Sequence, residues 1–317
     1  MARSLIIGAG GQLGTVLTQQ LRNLYGNDQV VRSDLRMLDQ ISGPFEVIDA
    51  TDADRIEEVV KKYKIEEIYH LAAILSANGE KNPLGTWDIN MKTLFNVLEV
   101  SRLNGVKKVF YPSSIAVFGS EVDQQNTPQA SFLNPSTVYG ISKAAGENWA
   151  QYYFQRYGLD VRSIRYPGVI GYQSLPGGGT TDYAVDIYHK AVEGKEFSCF
   201  LEENTRLPMI YMDDAIRATI ELMKAPKENI KTRTSYNLAG MSFSPKEIAL
   251  AIKKIYPDFE ISYDPDFRQS IAASWPQSID DSRARADWGW VPAYDLDSMT
   301  ADMIENLKLK YAKEAVH

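Results

Sequence analysis

The stretch Ser4-Leu-Ile-Ile-Gly8-Ala-Gly-Gly11-Gln-Leu-Gly14-Thr-Val16 decides how this chain is read. A short apolar run ends at a glycine turn. From Gln12 the apolar residues recur at helical spacing, at Leu13, Val16, Leu17, Leu21 and Leu24. Strand, glycine turn and helix in this order bring backbone amides to a helix N-terminus, where a pyrophosphate can approach unhindered by side chains. Glycine turns after strands are frequent, so Gly8-x-x-Gly11-x-x-Gly14 gains its weight from this context. Asp34 stands at the expected end of the second strand, 20 residues beyond Gly14. A carboxylate there accepts hydrogen bonds from an adenosine ribose and repels a 2′-phosphate, which favours NAD over NADP. A plain turn aspartate is the alternative, and the flanking Arg32 and Arg36 speak for NADP. Asp49-Ala50, after the third strand, either meets the adenine edge or forms an ordinary solvated loop.

Outward from this turn the chain alternates. Strands are expected at Gln29–Ser33, Phe45–Ile48, Glu67–Leu71, Lys108–Pro112 and Leu159–Tyr166, with helices at Ala53–Tyr63, Trp87–Leu103 and Val138–Tyr157. Such alternation predicts βαβ units and a parallel sheet. After Pro167 the texture changes. Leu175-Pro-Gly-Gly-Gly-Thr-Thr181 reads as a loop, followed by helix-like segments at 183–193, 213–224, 244–256 and 297–313. The expected fold is α/β: a Rossmann-type doubly wound parallel sheet in residues 1–167 and a smaller C-terminal α/β substrate lobe in residues 168–317. Some strands of the second part are expected to return to the main sheet.

Composition narrows the function. The 317 residues carry a net charge of −7, against the basic patch usual in nucleic-acid binders. The longest apolar runs are strand-sized, short of the ~20 residues that span a bilayer, so no membrane partner is expected. The N-terminal Met-Ala-Arg-Ser-Leu-Ile-Ile-Gly is too short and too glycine-rich for a signal peptide, which points to a cytoplasmic enzyme. One cysteine, Cys199, and three histidines leave no material for a cysteine-rich zinc site, so no metal is expected.

The chemistry centres on Tyr139. Of eighteen tyrosines it alone has a lysine four residues on, in Tyr139-Gly-Ile-Ser-Lys143. On a helix the two share a face, and an ammonium beside a phenol favours the phenolate. A tyrosine so placed can take a proton from a substrate hydroxyl. The strand before this helix ends in Pro112-Ser113-Ser114, where a serine hydroxyl either faces the crevice at the strand ends or caps the next turn.

Gly8-x-x-Gly11-x-x-Gly14, His70-Leu-Ala-Ala73, Pro112-Ser-Ser114-x-x-Val-Phe-Gly119, Tyr139-x-x-x-Lys143 and Arg165-Tyr-Pro-Gly168 occur in order. Together they resemble the extended short-chain dehydrogenase/reductase superfamily over nearly the whole chain. The resemblance implies Ser114, Tyr139 and Lys143 as the catalytic set. It also implies Gln12, Leu13, Leu71, Ala72, Ala73 and Tyr166 beside an NAD coenzyme, and a homodimer formed by the helices at Trp87–Leu103 and Val138–Tyr157, on which Val97, Val100, Trp149 and Tyr153 supply apolar surface. Asn90 matches a family asparagine, although Asn90-Met-Lys-Thr-Leu-Phe-Asn96 lacks the usual Gly-Thr.

Two departures tell against the sugar nucleotides on which most of this superfamily acts. Gly168 replaces the asparagine of Arg-Tyr-x-Asn, and Leu207 replaces an arginine, with Arg206 one place off and so on the other face of a strand. The remaining motifs are Ile74-Leu-Ser76-Ala-Asn-Gly-Glu-Lys81, Gly179-Thr-Thr-Asp-Tyr-Ala184, Leu207-Pro-Met-Ile-Tyr-Met212 and Ile271-Ala-Ala-Ser-Trp-Pro276. These look like the short-chain, metal-independent type of L-threonine 3-dehydrogenase. That likeness implies oxidation of the threonine 3-hydroxyl. Ser76, Thr180, Thr181 and Asp182 are the candidates for holding the amino acid, and Trp275 for closing its pocket. The alternatives are a nucleotide-sugar epimerase or dehydratase and a non-enzymatic NAD-binding regulator. His70, His189 and Cys199 are expected to be structural or uninvolved.

Overall fold

The structure is a computed structural model that describes residues 3–38, 42–177 and 179–314. In the first half, β1 (Ser4–Ile7), α1 (Gln12–Tyr25), β2 (Val30–Asp34), β3 (Phe45–Val47), α2 (Ala53–Tyr63) and β4 (Glu67–His70) follow one another. After a single turn, α3 (Ser76–Gly79), come α4 (Pro83–Leu103), β5 (Lys108–Ser114), α5 (Val138–Tyr157) and β6 (Asp160–Tyr166). The second half contains β7 (Gly168–Ile170), α6 (Tyr183–Val192), β8 (Phe197–Cys199), β9 (Leu207–Tyr211), α7 (Met212–Lys224), β10 (Tyr236–Asn237), β11 (Met241–Phe243) and α8 (Pro245–Lys253). It closes with β12 (Ile261–Tyr263), α9 (Phe267–Ala273), α10 (Ser282–Trp288) and α11 (Leu296–Glu314).

Seven strands form one parallel sheet in the order β10-β6-β5-β4-β1-β2-β3. The order reverses between β1 and β4, which opens a crevice at the strand C-termini where α/β sheets bind ligands. Helices cover both faces, so the strands are buried and read as apolar runs. Leu17, Leu21, Ile216 and Met223 fill the face under α1 and α7. Ile56, Val59, Leu94, Leu98 and Ala150 fill the opposite face under α2, α4 and α5. β10 comes from the second half and extends the sheet beyond β6.

Pro167, which has no N–H to donate, separates β6 from β7. β7 leaves the main sheet and pairs with β9, which pairs with β11. A third apolar cluster, with Tyr183, Tyr188, Leu207, Phe243, Ile252 and Met303, lies beneath this small sheet. Helix α4 starts four residues before the sequence reading placed it. Asn82 caps it by accepting from Gly85 N at 3.2 Å, and Pro83 occupies the first turn, where its missing donor is harmless.

Candidate active site

Two adjoining cavities lie at the C-terminal edge of the sheet. The first, about 490 Å³, is walled by the β1–α1 turn, the ends of β2 and β3, and the extended segment that follows β4. Gly8 has φ +88°, and a Cβ on it would stand 2.8 Å from Ala72 N. A Cβ on Gly14 would overlap the Gly8 carbonyl oxygen, so α1 presses directly on the turn. Gly11, the residue before α1, offers no side-chain cap, and the first turn of α1 carries no acid. Its amides are therefore free for an anion. Asp34 sits at the rim with its carboxylate fixed: Oδ2 accepts from Gly10 N and Oδ1 from Leu35 N, both at 2.8 Å. Asp49 and Ala50 also line this cavity, but the Asp49 carboxylate is occupied by Thr51 N and Oγ1, which hold its pKa below the ordinary aspartate range. Leu71, Ala72 and Ala73 form the floor. A side-chain-free anion cradle with a fixed carboxylate at its rim fits a dinucleotide.

Two of the sequence candidates do not reach either cavity. Gly14 acts by close packing. Asn90 lies behind the wall, where its side chain accepts from Ile74 N at 2.8 Å and donates to Ile74 O at 3.1 Å, pinning the segment that leads to Ser76.

The second cavity, about 190 Å³, shares Leu71 and Ala73 with the first and gathers Gln12, Leu13, Ser114, Tyr139, Lys143 and Tyr166. α5 begins at a Thr137 cap, which accepts from Gly140 N at 3.1 Å and aims the first turn of the helix at the end of β5. Tyr139 is partly buried; desolvation pushes its phenol up to about 12, and a hydrogen bond with Ser114 acts the other way. The Ser114 hydroxyl also accepts from Ala116 N at 3.1 Å. Lys143 Nζ donates to Pro112 O at 2.7 Å and lies 5.6 Å from the Tyr139 ring centre and 4.5 Å from that of Tyr111. Burial pulls the Lys143 ammonium down to about 7, opposed by Glu147 one turn further along the helix. His70 is buried and stacked on Tyr111, with its pKa driven to about 3 by burial and by Lys143. Sequence reading missed Glu147, although its place four residues after Lys143 was visible.

The remaining candidates form the outer wall of this cavity. Ser76, Thr180, Thr181, Asp182 and Trp275 all line it. Thr180 Oγ1 and Trp275 Nε1 are buried there without a protein partner. Asp182 turns its carboxylate inward to Gly179 N at 2.8 Å, holding the loop. Gly168 faces Thr181: a Cβ at this position would lie 2.8 Å from both Cβ and Cγ2 of Thr181 and would strike Met209 Sδ. Leu207 is core, and Arg206 is committed to Glu247 and to Ser242 O.

The apolar surface expected for a dimer needs a correction. Val97 and Val100 are core residues, and Tyr153 is buried with its hydroxyl on Glu99 Oε2 at 2.8 Å. Of the four only Trp149 is exposed, joined on these two helices by Ile89, Leu103, Ile141 and Tyr152. Among the described residues no helix is long and apolar enough to cross a membrane, and none of their acidic, histidine or cysteine side chains cluster as a metal site.

Comparison with known proteins adds to this geometry. An uncharacterised epimerase/dehydratase of Staphylococcus aureus is 48% identical over 315 residues, covering 98% of both chains. A solved GalE-like L-threonine dehydrogenase from Cupriavidus necator, in holo form, is 52% identical, covers 96% of this chain and 100% of its own, and superposes with a TM-score of 0.95. A monomeric L-threonine 3-dehydrogenase from a metagenome, in apo form, is 50% identical, with 97% and 99% covered and a TM-score of 0.94. The family model for the NAD dependent epimerase/dehydratase family matches residues 4–239. With its dinucleotide cradle and the Ser114, Tyr139 and Lys143 cluster in one crevice, this chain belongs to the NAD dependent epimerase/dehydratase family.

Proposed function

We propose that this chain oxidises the 3-hydroxyl of L-threonine to 2-amino-3-oxobutyrate with NAD⁺ as coenzyme. The observation that carries the reading is the filled space at Gly168. A side chain for a sugar diphosphate has no room there, because Thr181 and Met209 already occupy it. The cavity against Tyr139 is about 190 Å³, below the ~300–1,000 Å³ usual for drug-sized ligands. Its wall offers two unpaired polar atoms, Thr180 Oγ1 and Trp275 Nε1, suited to a small zwitterion. The two threonine dehydrogenase structures similar to this chain support the same reading.

In this proposal Gly8, Gly11, Asp34, Asp49, Ala50 and Leu71–Ala73 hold the coenzyme, with Gln12, Leu13 and Tyr166 toward its reactive end. Bound NAD⁺ supplies the hydride acceptor and a positive charge that favours the phenolate. Tyr139 takes the proton of the 3-hydroxyl as the C3 hydrogen departs with its electron pair. Ser114 donates to the substrate oxygen and keeps it in line with Tyr139, and Lys143 stabilises the phenolate. Ser76, Thr180 and Thr181 fix the amino acid, Asp182 shapes their loop, and Trp275 donates to the carboxylate and excludes water. Residues 1–167 then hold the coenzyme and supply Ser76, Ser114 and Tyr139 to the substrate, and residues 168–317 supply the rest of its wall. A cytoplasmic location suits the single, buried Cys199.

Purified protein with NAD⁺ is followed by NADH absorbance after addition of L-threonine, allo-threonine, L-serine or a UDP-hexose in separate runs. NADH formation with L-threonine is the expected result. Silence with every amino acid and conversion of the UDP-hexose would establish the epimerase reading instead. The exposed apolar residues of α4 and α5 further support a homodimer, which a monodisperse monomer in light scattering at micromolar concentration would refute.

A further inference from the structure

Tyr139, Lys143 and Glu147 stand at successive i+4 positions of α5 and share one face of the helix. Glu147 is 0% exposed. Its Oε1 accepts from Ser113 Oγ at 2.6 Å and Arg165 Nε at 2.9 Å, and its Oε2 from Arg165 Nη2 at 2.8 Å. Ser113 and Arg165 are cross-strand partners on β5 and β6. The residue before Ser113, Pro112, gives its carbonyl to Lys143. The same end of β5 thus anchors both the lysine and the glutamate.

The ionisable groups around Lys143 come from several elements. Tyr139 and Glu147 belong to α5, His70 to β4, Tyr111 to β5 and Arg165 to β6, while Asp182 lies across the cavity. His70 is neutral above about pH 3, and burial keeps the Tyr111 phenol protonated. Asp182 is engaged with Gly179 N. The acceptor that Lys143 uses is a neutral carbonyl, and a buried ammonium without a counter-charge loses its proton. Glu147 is the buried carboxylate on its own helix face, and Arg165 and Ser113 hold that carboxylate rigidly.

We propose that Glu147 is a positioning residue that keeps Lys143 an ammonium beside Tyr139, with Arg165 and Ser113 fixing its carboxylate. The inference rests on Tyr139 as the proton acceptor. Its test is therefore a titration that needs no substrate: near-ultraviolet absorbance of the NAD⁺-bound protein against pH, each protein referenced to its Tyr139→Phe counterpart. The difference reports phenolate formation at Tyr139. In Glu147→Gln the midpoint is expected to rise by roughly one pH unit or more, because a weakened ammonium no longer favours the phenolate. The acid limb of kcat/KM should move with it. Glu147→Asp keeps the charge and is expected to restore the midpoint. A folded Glu147→Gln with the wild-type midpoint overturns the proposal, as does a Glu147→Asp displaced as far as the glutamine variant. Should Glu147→Gln not fold, Glu147→Gln/Arg165→Gln is compared with Arg165→Gln, so that only the Glu147 charge differs. A higher midpoint in the double variant supports the proposal and equal midpoints overturn it. Wild-type silence toward L-threonine would refute the proposed substrate while leaving this titration intact.

Discussion

Gly168→Ala is the substitution that bears hardest on the proposed substrate pocket. The added methyl would stand 2.8 Å from Thr181 Cβ and Cγ2 and would strike the sulfur of Met209, the β9 residue paired with Gly168. An ordinary carbon–carbon contact is about 3.5–4.0 Å, so Thr181 must retreat by roughly 0.7–1.2 Å. A misplacement of about 1 Å near reacting groups costs on the order of 10²-fold in rate. Overpacking of this kind also costs about 1–3 kcal/mol of stability. The coenzyme cavity does not include residue 168, so NAD binding should persist. Initial NADH rates with L-threonine, NAD⁺ titration by calorimetry and urea unfolding measure the three quantities separately. A folded variant with undiminished kcat/KM would refute the packing argument. Equal loss of NAD binding would show instead that the effect spreads beyond the pocket.

Tyr139→Phe should lower turnover by on the order of 10²-fold or more while NAD still binds; near-normal turnover removes Tyr139 from its role. Asp34→Ala should erode the preference for NAD over NADP, since it deletes the carboxylate held by Gly10 N and Leu35 N, and unchanged kcat/KM ratios for the two coenzymes would move that role elsewhere. Trp275→Phe deletes a buried donor that has no protein partner. A hydrogen bond to a charged group contributes about 1.5–3 kcal/mol, so KM for L-threonine should rise about tenfold or more without loss of thermal stability; an unaltered KM refutes the contact. His70 has a folded pKa near 3 against about 6.5 when unfolded. Below pH 6.5 the unfolded chain binds a proton that the folded one does not. Stability should therefore be full above that pH and fall toward pH 3, at up to ~1.4 kcal/mol per unit. His70→Leu should flatten that slope in acid-titrated urea melts, and an unchanged slope would assign it to other groups.

The alternation of strands and helices was legible because parallel strands covered on both faces are short apolar runs, as at Leu5–Ile7 and Ile68–Tyr69. The glycine turn and the Tyr139–Lys143 spacing were legible as local patterns that take their weight from the strand–turn–helix order around them. What escaped was assembled from distant parts of the chain. Glu147 meets Ser113 and Arg165 across 34 and 18 residues. Asn90 matches a family position, yet its contacts to Ile74 depend on how α4 lies against the segment after β4. Gly168 was noted as a missing asparagine. Only the packing of Thr181 and Met209 shows that the position has been filled and not merely vacated. Val97, Val100 and Tyr153 looked available on a helix wheel and proved to face the core, because α4 and α5 pack on the sheet and on each other.

The two-residue strand β10 has a consequence for how the molecule is made. Arg165, which grips Glu147, also donates to Asn237 Oδ1 at 3.0 Å, and Asn237 sits on the strand that covers the outer edge of β6. A nascent chain that has completed β6 already holds Tyr139, Lys143, Glu147 and Arg165, but the edge beside them stays open until residue 237 leaves the ribosome. At about 5–20 residues per second that interval lasts for seconds. Coenzyme arriving earlier meets an unfinished sheet, and the catalytic half matures on the timetable of the half that follows it.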